Sequence, residues 1–455
     1  MQKKFPLQLL AAVVGAALLA GCGDAETTIV EQDPIDVPDD GHDHGDDDHA
    51  TGAGRLAVLS AGGDQALVFD LHDDSLLDSF SLSYPASAIA ASPGLRYAVL
   101  VSRNDDHVGF LDGGVWQEDH GDHLHPYAQA PALSDYSRTA TRPTHTDVGD
   151  DQLAIFYDGN AELGLPASVE VITDHDIANE TAHPAAIHYS MAMHGVAKPR
   201  GEYVLATVRR ADAESTSNAK VLPDQVGVYH LHGDDYELDV VLDEVCPDLH
   251  GAAQNHDNVV FGCRDGVLIA TETATGYSAS KISNIAALNG ARIGTIFGNE
   301  ESASFIGVAN GDEQVHLVSI APHENAMSAF DWQPAAGRTP VAYSFANDGS
   351  QFLVLDDHAV LTVLSAHAHG DHVHWEEAGT LQLNDGDLGA MPEGGKFALT
   401  VAQDGHYAYV ADPIAQHVLK IDLETVAVVG DIELETVPAG ITWLGIAEDH
   451  DDHAH

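Results

Sequence analysis

The sequence predicts an all-β protein folded as a single β-propeller, with eight blades favoured and seven as the alternative. Short runs of alternating apolar residues recur at intervals of roughly 40 to 60 residues, the period of a propeller blade. Turns containing Gly, Asp and Pro separate these runs, and no segment keeps the 3.6-residue period of a long helix. Together these features indicate a ring of four-stranded sheets.

Eight units can be read in order along the chain. Their strand-like runs lie at 55–82, 87–112, 144–173, 189–231, 248–271, 291–320, 339–365 and 396–434. In the last two units, the runs ANDGSQFLVL and AQDGHYAYV repeat one pattern of strand, Asp-Gly turn and strand. This repetition supports the division into blades.

The two ends of the propeller are expected to meet in one blade. The first unit lacks an innermost strand, and the segment PAGITWLGIA at 438–447 has no unit after it. If this segment supplies the missing strand, the ring closes and no sheet edge stays open. We therefore expect one propeller domain over residues 55–447.

The charge balance narrows the classes of binding partner that can be expected. The chain has 455 residues with 18 basic and 72 acidic side chains, a formal net charge of −54, and 29 His. Nucleic acid requires a basic footprint, and anionic lipid headgroups attract basic segments, so neither is an expected partner. An acidic, His-rich chain favours cations.

The N-terminal segment predicts export. Residues 1–22 contain Lys3 and Lys4, then an apolar run that ends in small residues before Cys22. This resembles a bacterial lipoprotein signal in which Cys22 is lipidated; the alternative is an ordinary signal peptide with a chance Cys. With Gly23 after the Cys, we expect a lipid-anchored protein in the periplasm or at the cell surface, with the outer membrane favoured, and with the membrane touched through the anchor alone.

Two Asp/His-rich segments flank the expected propeller. Residues 23–54 lack apolar periodicity, and 448–455 repeat the same composition. Such sequences cannot bury a core, so we interpret them as a disordered tether and tail.

Cys246 and Cys263 are expected to form a disulfide. An exported protein meets an oxidising compartment, where pairing is the default for two remaining Cys. A closed loop of about 16 residues would stabilise the fold by roughly 3 kcal/mol. The rival interpretation is a pair of thiolate zinc ligands.

Three His occupy matching places in consecutive units. They are His145 in PTHTDVGDD, His194 in AMHGVAKPRG and His250 in DLHGAAQN, each about eight to ten residues before the apolar run of the next strand. We expect them on the innermost strands, converging on one side of the central channel. Three imidazoles at one point are typical of a metal site, and the alternative is a set of channel residues bonded to water.

The segment 114–131 adds a second group of His between the second and third units. It contains His120, His123 and His125, with Glu118 nearby. Because it precedes the His145 strand, we expect it to run over the same mouth of the channel and to add ligands. The alternative is an acidic surface loop with incidental His.

Several of these runs together resemble a known family. They are EDHGDHLHPY, RPTHTDV, FYDG, MHGVAKPRGE and LHGAA followed by FGCRDGV. They are similar to the periplasmic or cell-surface zinc metallochaperones that serve Azt-type zinc ABC transporters, and the likeness covers essentially the whole ring.

The resemblance implies a β-propeller that binds Zn²⁺ and passes it to the transporter's solute-binding protein. We expect the protein to be monomeric. It implies ligands among His123, His125, His145, His194 and His250, without dividing them between sites. The family's mobile N-terminal His motif corresponds here to His42, Asp43, His44 and His49. The expected lipid anchor is a difference from a freely diffusing periplasmic protein. It leaves open whether this protein donates zinc to a transporter or only captures it.

A further His cluster lies in the seventh unit. The run SAHAHGDHVHWEEAG places His367 with His369 and His372 with His374 on either side of a Gly-Asp turn. We expect a hairpin tip that holds a second zinc or collects metal loosely, with a solvated polar loop as the alternative.

The expected function is therefore zinc capture and transfer, without catalysis. One alternative is a zinc-dependent propeller enzyme, a hydrolase or lyase, with Glu118 as general base. The sequence has no His-Glu-x-x-His motif and no nucleophile elbow. The other alternative is a surface scaffold that buffers metal.

Overall fold

The computed structural model describes residues 54–119, 124–211, 221–274, 276–311, 314–369, 372–384, 386–403 and 405–446. These residues form a β-propeller of eight four-stranded blades, as predicted. The predicted closure is also confirmed, because the C-terminal strand completes the first blade.

The strands of each blade are given from the inside of the ring outwards. Blade one contains β34 (Pro438–Leu444), β1 (Arg55–Ser60), β2 (Gln65–Asp70) and β3 (Leu76–Ser81). Blade two contains β4 (Ala88–Ala91), β5 (Tyr97–Ser102), β6 (His107–Asp112) and β9 (Ala132–Thr139). Blade three contains β10 (Pro143–Gly149), β11 (Gln152–Tyr157), β12 (Ser168–Thr173) and β13 (Ala185–His188). Blade four contains β14 (Ala197–Arg200), β15 (Tyr203–Val208), β16 (Gln225–His232) and β17 (Asp235–Val241).

The second half of the ring repeats the pattern. Blade five contains β18 (Ala252–Gln254), β19 (Asn258–Cys263), β20 (Gly266–Thr273) and β21 (Gly276–Ser283). Blade six contains β22 (Arg292–Phe297), β23 (Phe305–Asn310), β24 (Val315–Ala321) and β25 (Ala326–Ala329). Blade seven contains β26 (Pro340–Ala346), β27 (Gln351–Asp356), β28 (Val360–His369) and β29 (His372–Gln382). Blade eight contains β30 (Ala398–Val401), β31 (Tyr407–Asp412), β32 (His417–Asp422) and β33 (Ala427–Glu433).

The remaining elements are small. A separate hairpin pairs β7 (Val115–Asp119) with β8 (Leu124–Ala128). The helix α1 (Asp174–Ala178) begins at a capping box on Thr173, in which the Thr173 hydroxyl and the Asp176 carboxylate each accept from the other residue's backbone N–H. The 3-10 turns are Arg103–Asp105, Ala286–Leu288, Pro322–Glu324 and Leu388–Ala390. Among the described residues, no helix combines the length and apolar character needed to cross a membrane.

The core lies between neighbouring blades. The second strands are mostly buried, and YAVLVS of β5 and NVVFGC of β19 are buried along their whole length, while β3 is exposed almost throughout. The apolar clusters therefore join adjacent sheets; one joins residues of blade five, such as Val260, to Phe305 and Ile320 of blade six. Burial of each such side chain contributes roughly 1.5–3 kcal/mol, and the ring of sheets is held by these interblade layers.

The antiparallel order gives the ring two faces. Innermost strands begin at one face, here called the entry face, where β10, β14 and β18 start at Pro143, Ala197 and Ala252. They end at the opposite face, here called the exit face. Connections from the third to the fourth strand of a blade also lie at the exit face, because each strand reverses the direction of the one before it.

The prediction for the segment 114–131 is wrong in its position. The segment forms the β7–β8 hairpin, which is inserted between β6 and β9 within blade two. The hairpin leaves at the exit face, where the Arg55 guanidinium donates to the carbonyl oxygens of Gly113 and Gln129 at its base. The sequence ALSDYSRT of β9 hid this arrangement, because an outermost strand is largely exposed and carries little apolar alternation.

Candidate metal centre

Three imidazoles converge at the entry face of the channel. The Nε2 atom of His194 lies 3.3 Å from Nε2 of His145 and 3.2 Å from Nε2 of His250. All three side chains are partly buried, and one ring nitrogen from each lies within 4.8 Å of the other two. Blades three, four and five each contribute one imidazole.

The local chain explains why the three side chains meet. His145 lies within β10, directly after a register shift between Pro143 and His145. His194 and His250 instead precede β14 and β18, so the prediction that all three lie on innermost strands is wrong for these two. The connections that lead into β14 and β18 lie at the entry face, and this places His194 and His250 level with His145.

A glycine follows each of these two histidines for a steric reason. A Cβ on Gly195 would lie 2.1 Å from Oγ1 of Thr207, and one on Gly251 would lie 2.6 Å from the carbonyl oxygen of Gly294. Gly251 also has a φ of +74°, in the left-handed region that favours glycine. The repeated His-Gly pair therefore lets the backbone pack closely enough to present the imidazole.

Hydrogen bonds on the far side of two rings fix their tautomers. Nδ1 of His194 lies 3.2 and 3.1 Å from the two carboxylate oxygens of Asp158, and Nδ1 of His250 lies 2.8 Å from the carbonyl oxygen of Gly294. Because these oxygens only accept, Nδ1 carries the proton in both neutral rings. Each Nε2 atom therefore presents a lone pair toward the other across 3.2 Å.

This arrangement is that of a metal-ligating histidine pair. Ligating imidazoles usually donate their second N–H to a carboxylate or a backbone carbonyl, which orients the ring and raises its basicity. Two facing lone pairs repel each other unless a cation lies between them. Tetrahedral zinc with Zn–N bonds of 2.0–2.1 Å separates its nitrogen ligands by about 3.3 Å, close to the separations of the Nε2 atoms here.

Burial keeps two of the rings neutral. It lowers the pKa of His145 and of His250 below the usual value for histidine, and the neighbouring imidazoles lower both further. Asp147 opposes this effect on the pKa of His145. Neutral imidazole is the form that binds metal, so the site is suited to binding at neutral pH.

Asp158 and Arg103 are site residues that the sequence reasoning did not single out. Asp158 directly follows β11, and its carboxylate lies 3.0 Å from the Arg103 guanidinium as well as beside His194. The run FYDG was the available signal, because it is one of the resembling runs and contains Asp158.

A disulfide lies beside the third histidine. Cys246 and Cys263 are bonded in the structure, and both are fully buried. The backbone N–H of His250 donates to the carbonyl of Gly262, and the N–H of Gly262 donates to the carbonyl of Gly251. The cross-link thus holds the segment that carries His250 against β19.

The hairpin residues do not join the three histidines. His125 lies exposed on β8, where its ring contacts Tyr127 4.7 Å away, centroid to centroid. Glu118, on β7, accepts from the indole N–H of Trp116. The hairpin projects from the exit face, so the expectation that it covers the His145 mouth is wrong, and Glu118 is not placed to act as a base there.

The other predicted residues fall into two groups. His367 and His374 are exposed and form a register pair across β28 and β29, and the backbones of His369 and His372 form another register pair nearer the turn. The rest lie outside the described residues: Cys22, His42, Asp43, His44, His49, His120 and His123.

Fold and site together define a β-propeller that carries a three-imidazole cluster at one mouth of its channel. No family model matches the chain. The chain resembles zinc chaperone AztD of Citrobacter koseri, with 22% identity over 410 residues, 85% of this chain and 88% of that protein. The resemblance predicted from the sequence is thus confirmed.

Solved structures agree on the fold. The crystal structure of Citrobacter koseri AztD matches with a TM-score of 0.70 and 20% identity, covering 86% of this chain and 97% of that one. Its apo structure matches with a TM-score of 0.70 and 19% identity, covering 86% and 98%. The dihydro-heme d1 dehydrogenase NirN matches more weakly, with a TM-score of 0.54 and 10% identity, covering 86% and 75%.

Proposed function

We propose that the protein is a zinc metallochaperone that binds Zn²⁺ among His145, His194 and His250 and passes it to a zinc transport system. The observation that carries the proposal is the pair of tautomer-fixed rings whose Nε2 lone pairs face each other across 3.2 Å. The similarity to a protein named zinc chaperone supports this role, which is one of transfer and not of catalysis.

The ligand set fits a cargo site. Imidazole nitrogen favours zinc over calcium or magnesium, which prefer oxygen ligands. Three protein ligands leave one position of a tetrahedral ion open, and the His194 side chain keeps 28% of its surface exposed. An acceptor's ligand can enter at that position and displace the histidines one at a time, so release does not require the ion to dissociate into water.

We further propose the envelope setting and the acceptor. The signal-like segment with Cys22 supports a lipid-anchored protein in the periplasm or at the cell surface. The resemblance supports the solute-binding protein of a zinc ABC transporter as the acceptor. The His-rich segment with His42, His44 and His49 would then lie between the anchor and the propeller and add weaker ligands.

Zinc competition titrations of the full chain test the site. The variant His145→Ala/His194→Ala/His250→Ala should lose the tightest zinc equivalent, because it removes all three nitrogen ligands. The matched control His188→Ala/His232→Ala removes exposed histidines and should bind as the unchanged protein does. If the tightest equivalent survives the triple substitution, the metal binds elsewhere and the surface-buffer alternative holds.

Transfer kinetics test the role. The full chain is loaded with one equivalent of zinc and mixed with the candidate solute-binding protein. Exchange through a shared intermediate should be faster than spontaneous zinc loss, measured with an excess of chelator. A transfer rate no higher than that of spontaneous loss overturns the chaperone proposal while leaving the zinc site intact.

A further inference from the structure

The hairpin of β28 and β29 extends beyond the rest of blade seven. These strands have 10 and 11 residues, and β27 pairs with β28 up to Ser365, opposite Gln351. The N–H of Ala366 still donates to the carbonyl of Ser350. Beyond Ala366, the described residues of β28 and β29 pair with each other, through register pairs that include His367 with His374 and His369 with His372. A two-stranded extension rich in histidine therefore stands out from the blade.

Two imidazoles and a carboxylate meet on one side of this extension. The rings of His367 and His374 face each other across the strands, with centroids 5.6 Å apart and planes inclined by 34°. Glu376 lies two residues after His374, so alternation puts both on one face of β29. One Glu376 oxygen lies 3.1 Å from Nε2 of His374, and the other lies 3.9 Å from Nε2 of His367.

The backbone that carries two of these groups is anchored. Trp375 points to the opposite face, where it is 6% exposed and stacks on Phe330 at 5.7 Å with planes inclined by 13°. Its ring also meets Phe345 and Phe352 in the layer between blades six and seven. His374 and Glu376 thus project from a fixed strand, which limits the entropy lost when they bind an ion.

We propose that His367, His374 and Glu376 form a second metal site for a divalent first-row transition ion such as Zn²⁺. Two imidazole nitrogens and one carboxylate oxygen are a ligand set that such ions accept, and water can complete the coordination. The neighbouring carboxylates of Glu377 and Asp331 line a cavity of about 380 Å³ beside His374, so the local charge also favours a cation.

This second site should bind more weakly and exchange faster than the three-histidine centre. The side chains of His367, His374 and Glu376 are 50%, 44% and 63% exposed, against 28% for His194. Exposed ligands lose more hydration and more rotamer freedom on binding. The site stands on its own geometry, and its use as a collecting site for the cargo ion rests on the proposed function.

Chemical protection locates the ion on the full chain. Diethyl pyrocarbonate modifies accessible neutral imidazoles, and a bound ion blocks the reaction. With two equivalents of zinc, peptide mass analysis should show protection of His367 and His374, while the exposed His72 and His183 stay reactive. Equal modification of all four residues with and without zinc overturns the site.

Zinc titration gives the second readout. In the His145→Ala/His194→Ala/His250→Ala background, adding His367→Ala/His374→Ala should remove one further equivalent. The matched control adds His72→Ala/His183→Ala and should keep it. All these added substitutions are on exposed side chains, and unchanged thermal unfolding confirms that the fold is intact.

The outcomes separate this proposal from the proposed function. Because the assay uses zinc alone, a site that persists while transfer fails supports the second site and rejects the chaperone role. Identical stoichiometry and affinity in the hairpin variant and its control reject the second site and leave the three-histidine centre untouched.

Discussion

Asp158 fixes the tautomer of His194 in the centre, although it is not one of the three proposed ligands. Its carboxylate accepts from Nδ1 of His194 and is itself held by Arg103. Among 72 acidic residues, its place in the run FYDG was the one sequence signal that distinguished this carboxylate. The carbonyl of Gly294, which orients His250, has none at all, because every residue has a carbonyl.

Neutralising this carboxylate should weaken zinc binding. Asp158→Asn keeps the side-chain shape but removes the charge that raises the basicity of His194, so the zinc affinity should fall about 10- to 100-fold. Competition titration measures the change. Asp431→Asn, which alters an Asp–His pair with His417 in blade eight, is the control and should leave the affinity unchanged.

Protons should compete with zinc for His145 and His250 only at unusually low pH. Burial lowers the pKa of His145 and His250, so these rings stay unprotonated below the ordinary histidine pKa of about 6.5. Since zinc binds the unprotonated ring, these two nitrogens should stay available to zinc at a lower pH than a free imidazole does. NMR titration of the two rings in the zinc-free protein, from neutral to acidic pH, checks this, and midpoints at or above pH 6.5 for both rings contradict it.

The sequence predicted the three histidines because each recurs before the apolar run of its unit. It also predicted which blades carry them, since the units follow one another along the chain. It did not reveal that His194 and His250 precede their strands. The strands β14 and β18 are short, so the apolar pattern does not show where they begin.

At the scale of elements, the sequence pattern succeeded where strands are buried and failed where they are exposed. The second strands, such as β5, are continuous apolar runs and were found directly. The outermost β9 has a mostly exposed pattern, so it was missed and the β7–β8 hairpin was assigned to the wrong connection. The face of the ring from which an inserted hairpin projects depends on which two strands of the blade it connects, and not on its proximity in sequence to another strand.

The disulfide should stabilise both the fold and the site. Cys246 and Cys263 are 17 residues apart, and removing a cross-link of that span costs about 3 kcal/mol in the free energy of unfolding. The variant Cys246→Ala/Cys263→Ala should show this loss in denaturant unfolding. Its zinc affinity should also fall, because the cross-link supports the His250 segment; an unchanged affinity would show that the backbone hydrogen bonds suffice.

The closing strand should be essential to the ring. Trp443 on β34 is 2% exposed and packs in a cluster with Leu56 of blade one and Tyr409 of blade eight. Trp443→Ala should lower the free energy of unfolding by about 3–5 kcal/mol, the usual cost of a large buried aromatic truncation. Leu238→Ala on the exposed β17 is the control and should cost much less; equal losses would contradict the closure.

At the scale of the whole molecule, the net charge of −54 and the 29 histidines describe an environment and not a site. The charge favours cations near the surface, and it gives little selectivity among them. Selectivity comes from the few imidazoles that the propeller brings together at one face. The eight-bladed ring matters because it brings residues near the start of consecutive innermost strands together at one mouth of the channel.

The most direct test of this account is the position of the first zinc ion. Crystals of the full chain with one equivalent of zinc would be measured at the zinc absorption edge, and an anomalous difference map calculated. We predict the strongest peak in contact with Nε2 of His145, His194 and His250. A strongest peak elsewhere on the chain, with none between these three rings, would contradict the account.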